Sequence, residues 1–144
     1  MTEILPRPGV GIMLMNEKAE VLLGKRSDDP SKTLLHGENT WTLPGGSVTF
    51  GESLRECANR EVLEETGIKL GALNTISISD EIVHDAHFVC IGFLCRKFEG
   101  EPKTREPEEI TEWRWFPIGN LPDKMFPPSK KIIENYKNKR IYGD

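Results

Sequence analysis

Apolar and polar positions divide the chain into strand-like and helix-like stretches. Residues 9–15, G-V-G-I-M-L-M, are apolar almost throughout and predict a buried strand. N-E-K-A-E predicts a turn and V-L-L-G-K-R, Val21 to Arg26, a second strand, so that the two together predict a β-hairpin. A long polar loop follows over residues 27–40; loops of that length are functional or disordered. Trp41 to Leu43 predicts a short strand leading into Pro44-Gly45-Gly46, and residues 47–50 are strand or loop. After a helix, residues 72–83 and 86–98 predict two strands. In the second, His87, Val89, Ile91, Phe93 and Cys95 alternate with Phe88, Cys90, Gly92 and Leu94; both sets are largely apolar, which predicts a strand covered on both faces. An acidic loop (105–112), a strand W-R-W-F (113–116), a turn P-I-G-N-L-P and a helix from about residue 129 to 140 complete the chain, with Ile132, Ile133 and Tyr136 facing inward. Strands around a central helix, with a helix at the end, predict α/β layering.

The central helix has the best-marked boundaries. Ser53 followed by Glu56 is a capping box, S-x-x-E. Gly67 sits where a left-handed C′ residue belongs, and Ile68 would contact Leu63 in a Schellman motif. The predicted helix runs from about residue 54 to 66. Advancing about 100° per residue, Glu61 projects between Cys57 and Leu54, and Glu65 between Leu54 and Ala58. Both carboxylates share the apolar stripe, Glu64 flanks Glu61, and Leu63 points the opposite way, which predicts packing on both sides. Negative charge at a helix C-terminus costs roughly 0.3–1 kcal/mol per group. Like charges at i, i+3 or i, i+4 add several tenths more. Arg60 offsets part of this and cannot neutralise the cluster. Bound dications would reverse the sign of each term, because hard cations take carboxylate oxygens.

Composition narrows the class. The chain has 144 residues, suited to one domain spanning 1–144 with a real core. A net charge of −4 argues against a broad basic nucleic-acid surface, so no nucleic-acid partner is expected. No apolar run reaches the roughly 20 residues that span a bilayer, and the start M-T-E-I-L-P-R-P lacks a signal-peptide h-region. Cys57, Cys90 and Cys95 fit neither a C-x-x-C motif nor a disulfide framework, and read as reduced, mostly buried thiols of a cytoplasmic protein. His36, His84 and His87 show no zinc-ligand spacing with them.

Upstream of the helix, glycines at 45 and 46 allow close approach of backbone to a ligand. From Gly46 the chain reads G-S-V-T-F-G-E-S-L-R-E-C-A-N-R-E-V-L-E-E-T-G-I. This resembles the Nudix hydrolase signature, G-x5-E-x7-R-E-U-x-E-E-x-G-U, with U a bulky aliphatic residue. Every fixed position matches: Gly46, Glu52, Arg60, Glu61, Val62, Glu64, Glu65, Gly67 and Ile68. The resemblance implies an α/β (α+β) fold, a mixed β-sheet sandwiched between helices. It also implies cleavage of a pyrophosphate bond in a nucleoside diphosphate derivative with Mg²⁺ or Mn²⁺. Glu61 and Glu65 would be metal ligands, with the Gly45 carbonyl completing an inner site. Glu64 would be a further ligand or would position or deprotonate water. Arg60 would orient the glutamates, and Glu52 would tie loop to helix. The acidic segment with Glu106, Glu108, Glu109 and Glu112 would supply a base or another ligand, Glu108 being the candidate chosen.

Outside the signature, R-P-G-V-G (7–11), V-L-L-G-K-R, L-P-G-G, F-G-E and an E-P-E run before W-x-W are similar to nucleoside triphosphate pyrophosphatases. The proline that ADP-ribose pyrophosphatases usually place about 15 residues beyond the signature is absent, since residues 82–85 are I-V-H-D. The S-Q-P-W-P-F-P-x-S run of NADH pyrophosphatases is missing too. The expected substrate is therefore a nucleoside triphosphate, cleaved to monophosphate and pyrophosphate. The competing readings are another nucleoside diphosphate derivative such as ADP-ribose, or an idle domain that senses nucleotide or binds RNA or protein. Arg26 or Lys25 would meet phosphates; Trp41, Phe88 and Phe126 are the candidates to stack on a base, and His36 a candidate loop contact. A homodimer is compatible with the resemblance.

Overall fold

In the computed structural model, residues 5–32, 37–83 and 86–143 are described. His36 and His84 lie outside them. The elements are β1 (Arg7–Leu14), β2 (Glu20–Arg26), a 3-10 turn (Pro30–Lys32), β3 (Trp41–Thr42), β4 (Gly45–Ser47), α1 (Leu54–Thr66), β5 (Lys69–Leu70), β6 (Asn74–Val83), β7 (Ala86–Cys95), β8 (Phe98–Glu99), β9 (Ile110–Pro117) and α2 (Pro127–Asn138). The main sheet has the order β4-β1-β7-β6, with β1 and β7 parallel and the other pairs antiparallel. A second, antiparallel sheet has the order β3-β2-β9, and β5 pairs with β8.

The mixed sheet lies between the two helices, as the resemblance implied. Val10, Ile12 and Leu14 of β1 form one core with Cys57, Ala58 and Val62 of α1. Met13 and Met15 share a second core with Ile132 and Ile133 of α2. Alternation along one strand thus feeds two helices on opposite faces, which is the period-2 rule of a pleated strand. β7 is apolar on both sides for the same reason. Among the described residues, no helix is long and apolar enough to cross a membrane.

Three expectations change. β1 and β2 do not form a hairpin ladder: they share one bridge, Met15 with Val21, and then part into different sheets. The reason is that β1 has both edges taken, by β4 and β7. Leu63 is 41% exposed, so α1 packs on one side only. The end of α1 is an αL cap and not a Schellman motif. Gly67 (φ 80°) donates its N–H to Leu63 O at 2.9 Å, while the Ile68 N–H is taken by Thr66 Oγ1 at 3.1 Å. At the other end of α1 the capping box is present, Ser53 Oγ accepting from Glu56 N–H and Glu56 Oε1 from Ser53 N–H.

Two glycines let α2 sit low on the sheet. Gly11 and Gly92 are register partners. A Cβ on Gly92 would lie 2.7 Å from Ile132 Cγ2 and 3.0 Å from Ser77 Cβ. Gly119, by contrast, has nothing within 4 Å of such an atom. Strand β6 beneath α2 has its polarity reversed: Ser77, Ser79 and Glu81 are buried, while Ile78 and Ile82 are 39% and 68% exposed.

Gly92→Ala should therefore lower stability by about 1–3 kcal/mol through overpacking against Ile132. Gly119→Ala should stay within about 0.5 kcal/mol. Urea unfolding of the two variants beside the parent checks the contrast.

Candidate functional site

The site grows from the loop that joins β4 to α1. Gly51 (φ 84°) turns the chain into Glu52, whose Oε1 accepts from Thr49 N–H at 3.0 Å. Arg60, two turns into α1, grips that carboxylate with two donors: Nε to Oε2 at 2.6 Å and Nη2 to Oε1 at 3.0 Å. Fork-to-fork pairing of this kind is among the stronger charge-assisted contacts. The hydrogen bonds from Arg60, then from the Thr49 amide, pull the Glu52 carboxyl down to about 2. Arg60 Nη1 also donates to Glu61 Oε1 at 2.9 Å and to Glu64 Oε2 at 3.4 Å. A single guanidinium thus ties the loop to Glu61 and Glu64 of the helix.

Glu65 is the exception. It is buried, and Arg60 does not reach it. Its Oε1 accepts from Gly45 N–H at 3.2 Å. Burial first, then the neighbouring Glu61, push its carboxyl well above the ordinary carboxylate range; the Gly45 amide works the other way. Gly45 thus meets Glu65 through its N–H. Gly46 matters through size. A Cβ there would lie 2.5 Å from the Glu61 carboxyl carbon, so glycine lets the carboxylate press against the β4 backbone.

Glu106, from the loop before β9, faces this group. Its carboxyl is raised, by burial first and then by Glu109, Glu61 and Glu64. Glu108 stands on the rim, its side chain 81% exposed and 3.8 Å from Lys32 Nζ. Glu106 feels the helix carboxylates, and Glu108 lines the same cleft.

These groups open into a cleft of about 690 Å³. Its apolar lining comes from Phe88, Cys90, Phe126, Pro128 and Ile132 among others. Arg26 lines it too, its guanidinium 4.0 Å above the Phe126 ring. Burial lowers its pKa, opposed by Glu65, Glu109 and Glu38. Phe88, Phe126 and Arg26 thus line one cleft. Trp41 does not line it: the ring packs edge-on against Phe116 at 4.9 Å, with Arg114 over it at 5.4 Å. As β3 alternates, Thr42 takes the cleft side. Cys90 and Ser129 had not been singled out. Ser129 Oγ accepts from Leu43 N–H at 2.9 Å and lies 3.0 Å from Thr42 Oγ1, pinning the start of α2 to β3.

Whether this donor set suits a dication can be judged from its chemistry. Glu61, Glu64, Glu65 and Glu106 offer carboxylate oxygens, the hard ligands that Mg²⁺ and Mn²⁺ take. Burial of Glu65 beside Glu61 without a cation between them is unfavourable. Among the described residues these side chains do not converge as a closed group of three or more. Glu61 and Glu64 are held instead by Arg60. The set fits a hard dication taken up together with an anionic ligand.

A glutamate-rich helix under a glycine turn, on a mixed sheet between two helices, is the arrangement that the resemblance to Nudix hydrolases implies. The NUDIX domain model matches residues 5–136, and the chain belongs to that family. It is 31% identical over 145 residues to an RNA pyrophosphohydrolase of Novosphingobium aromaticivorans, covering 88% of this chain and 86% of that one. It is 32% identical over 131 residues to a Bacillus subtilis protein named "Putative 8-oxo-dGTP diphosphatase", covering 90% and 79% respectively. The crystal structure of a MutT NUDIX hydrolase from Burkholderia pseudomallei superposes with a TM-score of 0.82 at 29% identity, covering 91% of this chain and 98% of that one. The protein is a Nudix hydrolase.

The lowered carboxyl of Glu52 gives a pH test. Its value of about 2 lies below the ordinary 4.5, so the Arg60 contact stabilises the fold fully above pH 4.5 and fades as pH falls towards 2. Urea midpoints of the parent and Glu52→Gln should differ most from pH 5 upwards and converge in strong acid.

Proposed function

We propose that this chain hydrolyses nucleoside triphosphates to nucleoside monophosphate and pyrophosphate in a Mg²⁺- or Mn²⁺-dependent reaction. The observation that carries the reading is the cleft itself. Buried Glu65 and Arg60-held Glu61 line it together with Phe88, Phe126 and Arg26. A triphosphate needs charge compensation where a base needs apolar walls, and the lining of the cleft supplies both. Its volume is within the range of small-molecule sites.

Glu61 and Glu65, with Glu64, would hold the dication. When bound it neutralises phosphate oxygens, lowers the pKa of water and stabilises the leaving group. The chain's own groups do the positioning. Arg60 fixes Glu61 against Gly46 and carries the loop through Glu52. Arg26 meets phosphate between the carboxylates and the base, and Phe126 beneath it keeps the guanidinium in place. Glu106 is the carboxylate best suited to accept a proton from the attacking water. Its raised pKa makes it a better base than a fully exposed carboxylate, and it faces Glu61 and Glu64. Glu64, with its side chain 51% exposed, is the alternative.

A second reading has a specific observation behind it. Relatives about 31% identical are named RNA pyrophosphohydrolases. A 5′-triphosphate end on RNA carries the same anhydride, and the cleft is open enough to take it. Assays with free nucleotides beside a 5′-triphosphorylated oligonucleotide separate the two.

The expected products are monophosphate and pyrophosphate, with inorganic phosphate appearing only after added pyrophosphatase. Glu65→Gln should reduce kcat by about 100-fold or more. It should also abolish the rise in melting temperature that Mg²⁺ with nucleotide gives the parent, and leave the metal-free fold equal or more stable. Full turnover by Glu65→Gln would overturn the assigned role; turnover of neither free nucleotides nor a 5′-triphosphorylated RNA end would overturn the reading.

A further inference from the structure

The last turn of α1 carries Glu64 and Glu65 and no basic residue. That is the wrong charge for the end of a helix, which is the negative pole of the macrodipole and leaves carbonyls without partners. Compensation comes from a distant part of the chain. Leu63 O accepts twice, from the Gly67 N–H and from Arg105 Nη1, both at 2.9 Å. Thr66 O accepts from the Lys103 N–H, also at 2.9 Å. A Cβ on Gly67 would lie 3.6 Å from Arg105 Cδ and 3.7 Å from its Nη1, so the arginine passes directly against the left-handed glycine that ends the helix.

The next residue in the chain is Glu106. On its far side the loop is fixed by backbone: Glu106 O accepts from the N–H groups of Glu109 at 3.0 Å and Ile110 at 2.9 Å, and Glu109 O accepts from Ser27 N–H at 2.8 Å. Glu106 therefore sits between two anchors, the end of α1 and the start of β9. Its carboxyl feels Glu109, Glu61 and Glu64, and Arg105 is the cation that opposes them. A loop that presents one carboxylate to others is pushed outward by their repulsion. The turn into β9 resists that push on one side of Glu106. Lys103 and Arg105 resist it on the other.

We infer that Arg105 is a positioning residue of the hydrolytic site: by gripping Leu63 O it ties the Glu106 loop to the helix that carries Glu61, Glu64 and Glu65. Carboxylates from two distant parts of the chain then keep one spacing. This rests on the role given to Glu106 under Proposed function. Arg105 does not line the cleft, so it acts through Glu106 and not on the substrate. It is also exposed, and this separates the two consequences of losing it. Exposed charged contacts contribute little to global stability. Misplacing a reacting group by about 1 Å costs on the order of 10²-fold in rate.

Kinetics, melting temperatures and amide hydrogen exchange test this on the parent, Arg105→Ala, Arg105→Lys, Glu106→Gln and the Arg105→Ala/Glu106→Gln double variant. The substrate is whichever triphosphate the parent cleaves, free nucleotide or 5′-triphosphorylated RNA. Arg105→Ala should lower kcat by about 10- to 100-fold while KM stays within about threefold. Its melting temperature should stay within about 3 °C of the parent. The Lys103 amide should exchange faster in that variant, with the amides of α1 unchanged. Arg105→Lys keeps a charge and a donor and should recover most of kcat. With Glu106 already replaced by Gln, removing Arg105 should cost less than about twofold more, because the group it places is gone. Unchanged kcat in Arg105→Ala, full turnover by Glu106→Gln, or losses that simply multiply in the double variant would each overturn the inference. So would a kcat loss that follows a falling melting temperature and that Arg105→Lys does not recover, which would make the contact structural. A parent that cleaves no triphosphate, with Lys103 exchange still raised in Arg105→Ala, would remove the proposed reaction and keep the tie between loop and helix. An active parent with an unaffected Arg105→Ala would do the reverse.

Discussion

Arg60 is the cation around which the acidic end of the molecule is assembled. Its three nitrogens reach Glu52, Glu61 and Glu64, and Nη2 adds Ser47 O at 3.3 Å. Loop, strand β4 and helix are joined through one side chain. Charge bookkeeping shows why this is not enough. Three carboxylates share a single guanidinium, and Glu65, the most buried, is served by one backbone amide. The surplus negative charge lies at the bottom of a cleft, where screening by water is weakest. A surface of that kind is stable as a holder of cations and poor as a structural element.

Glycines set how closely the parts approach, and so link the packing of the core to the site. Gly46 brings the Glu61 carboxylate against β4, and Gly92 with Gly11 brings Ile132 down onto the sheet. The same floor that admits α2 sets the depth of the apolar part of the cleft, since Gly9, Gly11 and Ile132 all border it. Overpacking at one of these glycines would therefore be felt both as lost stability and as a shallower cleft.

What the sequence disclosed followed the range of the forces involved. Both ends of α1 were legible because caps are local: Ser53, Glu56 and Gly67 lie within a turn of what they satisfy. The burial of Glu65 was legible from its place on the Cys57–Ala58 stripe. The pairing of β1 was not, since its neighbours β4 and β7 are chosen by contacts distant in sequence, and adjacency alone suggested β2. The detail of the C-cap escaped because the Thr66 hydroxyl competes for the Ile68 amide. Trp41 and Thr42 are neighbours on a two-residue strand, and composition cannot say which faces the cleft. Glu106 and Glu108 posed the same difficulty on a loop, where no periodicity operates.

The carboxylate and apolar walls of the cleft are built from different parts of the chain, and this separation has a chemical consequence. The carboxylates come from α1 and the loop before β9; the apolar wall comes from β7 and the start of α2. Arg26 bears on both. Its charge is felt by Glu65 and Glu109 on one side, and its plane rests on Phe126 on the other. Arg26 is the residue shared by these two parts of the cleft. Removing it leaves Glu65 and Glu109 with less compensation and Phe126 without its cover, so both walls of the cleft respond together. Arg26 is thus the residue at which the carboxylate and apolar walls of the cleft become one problem.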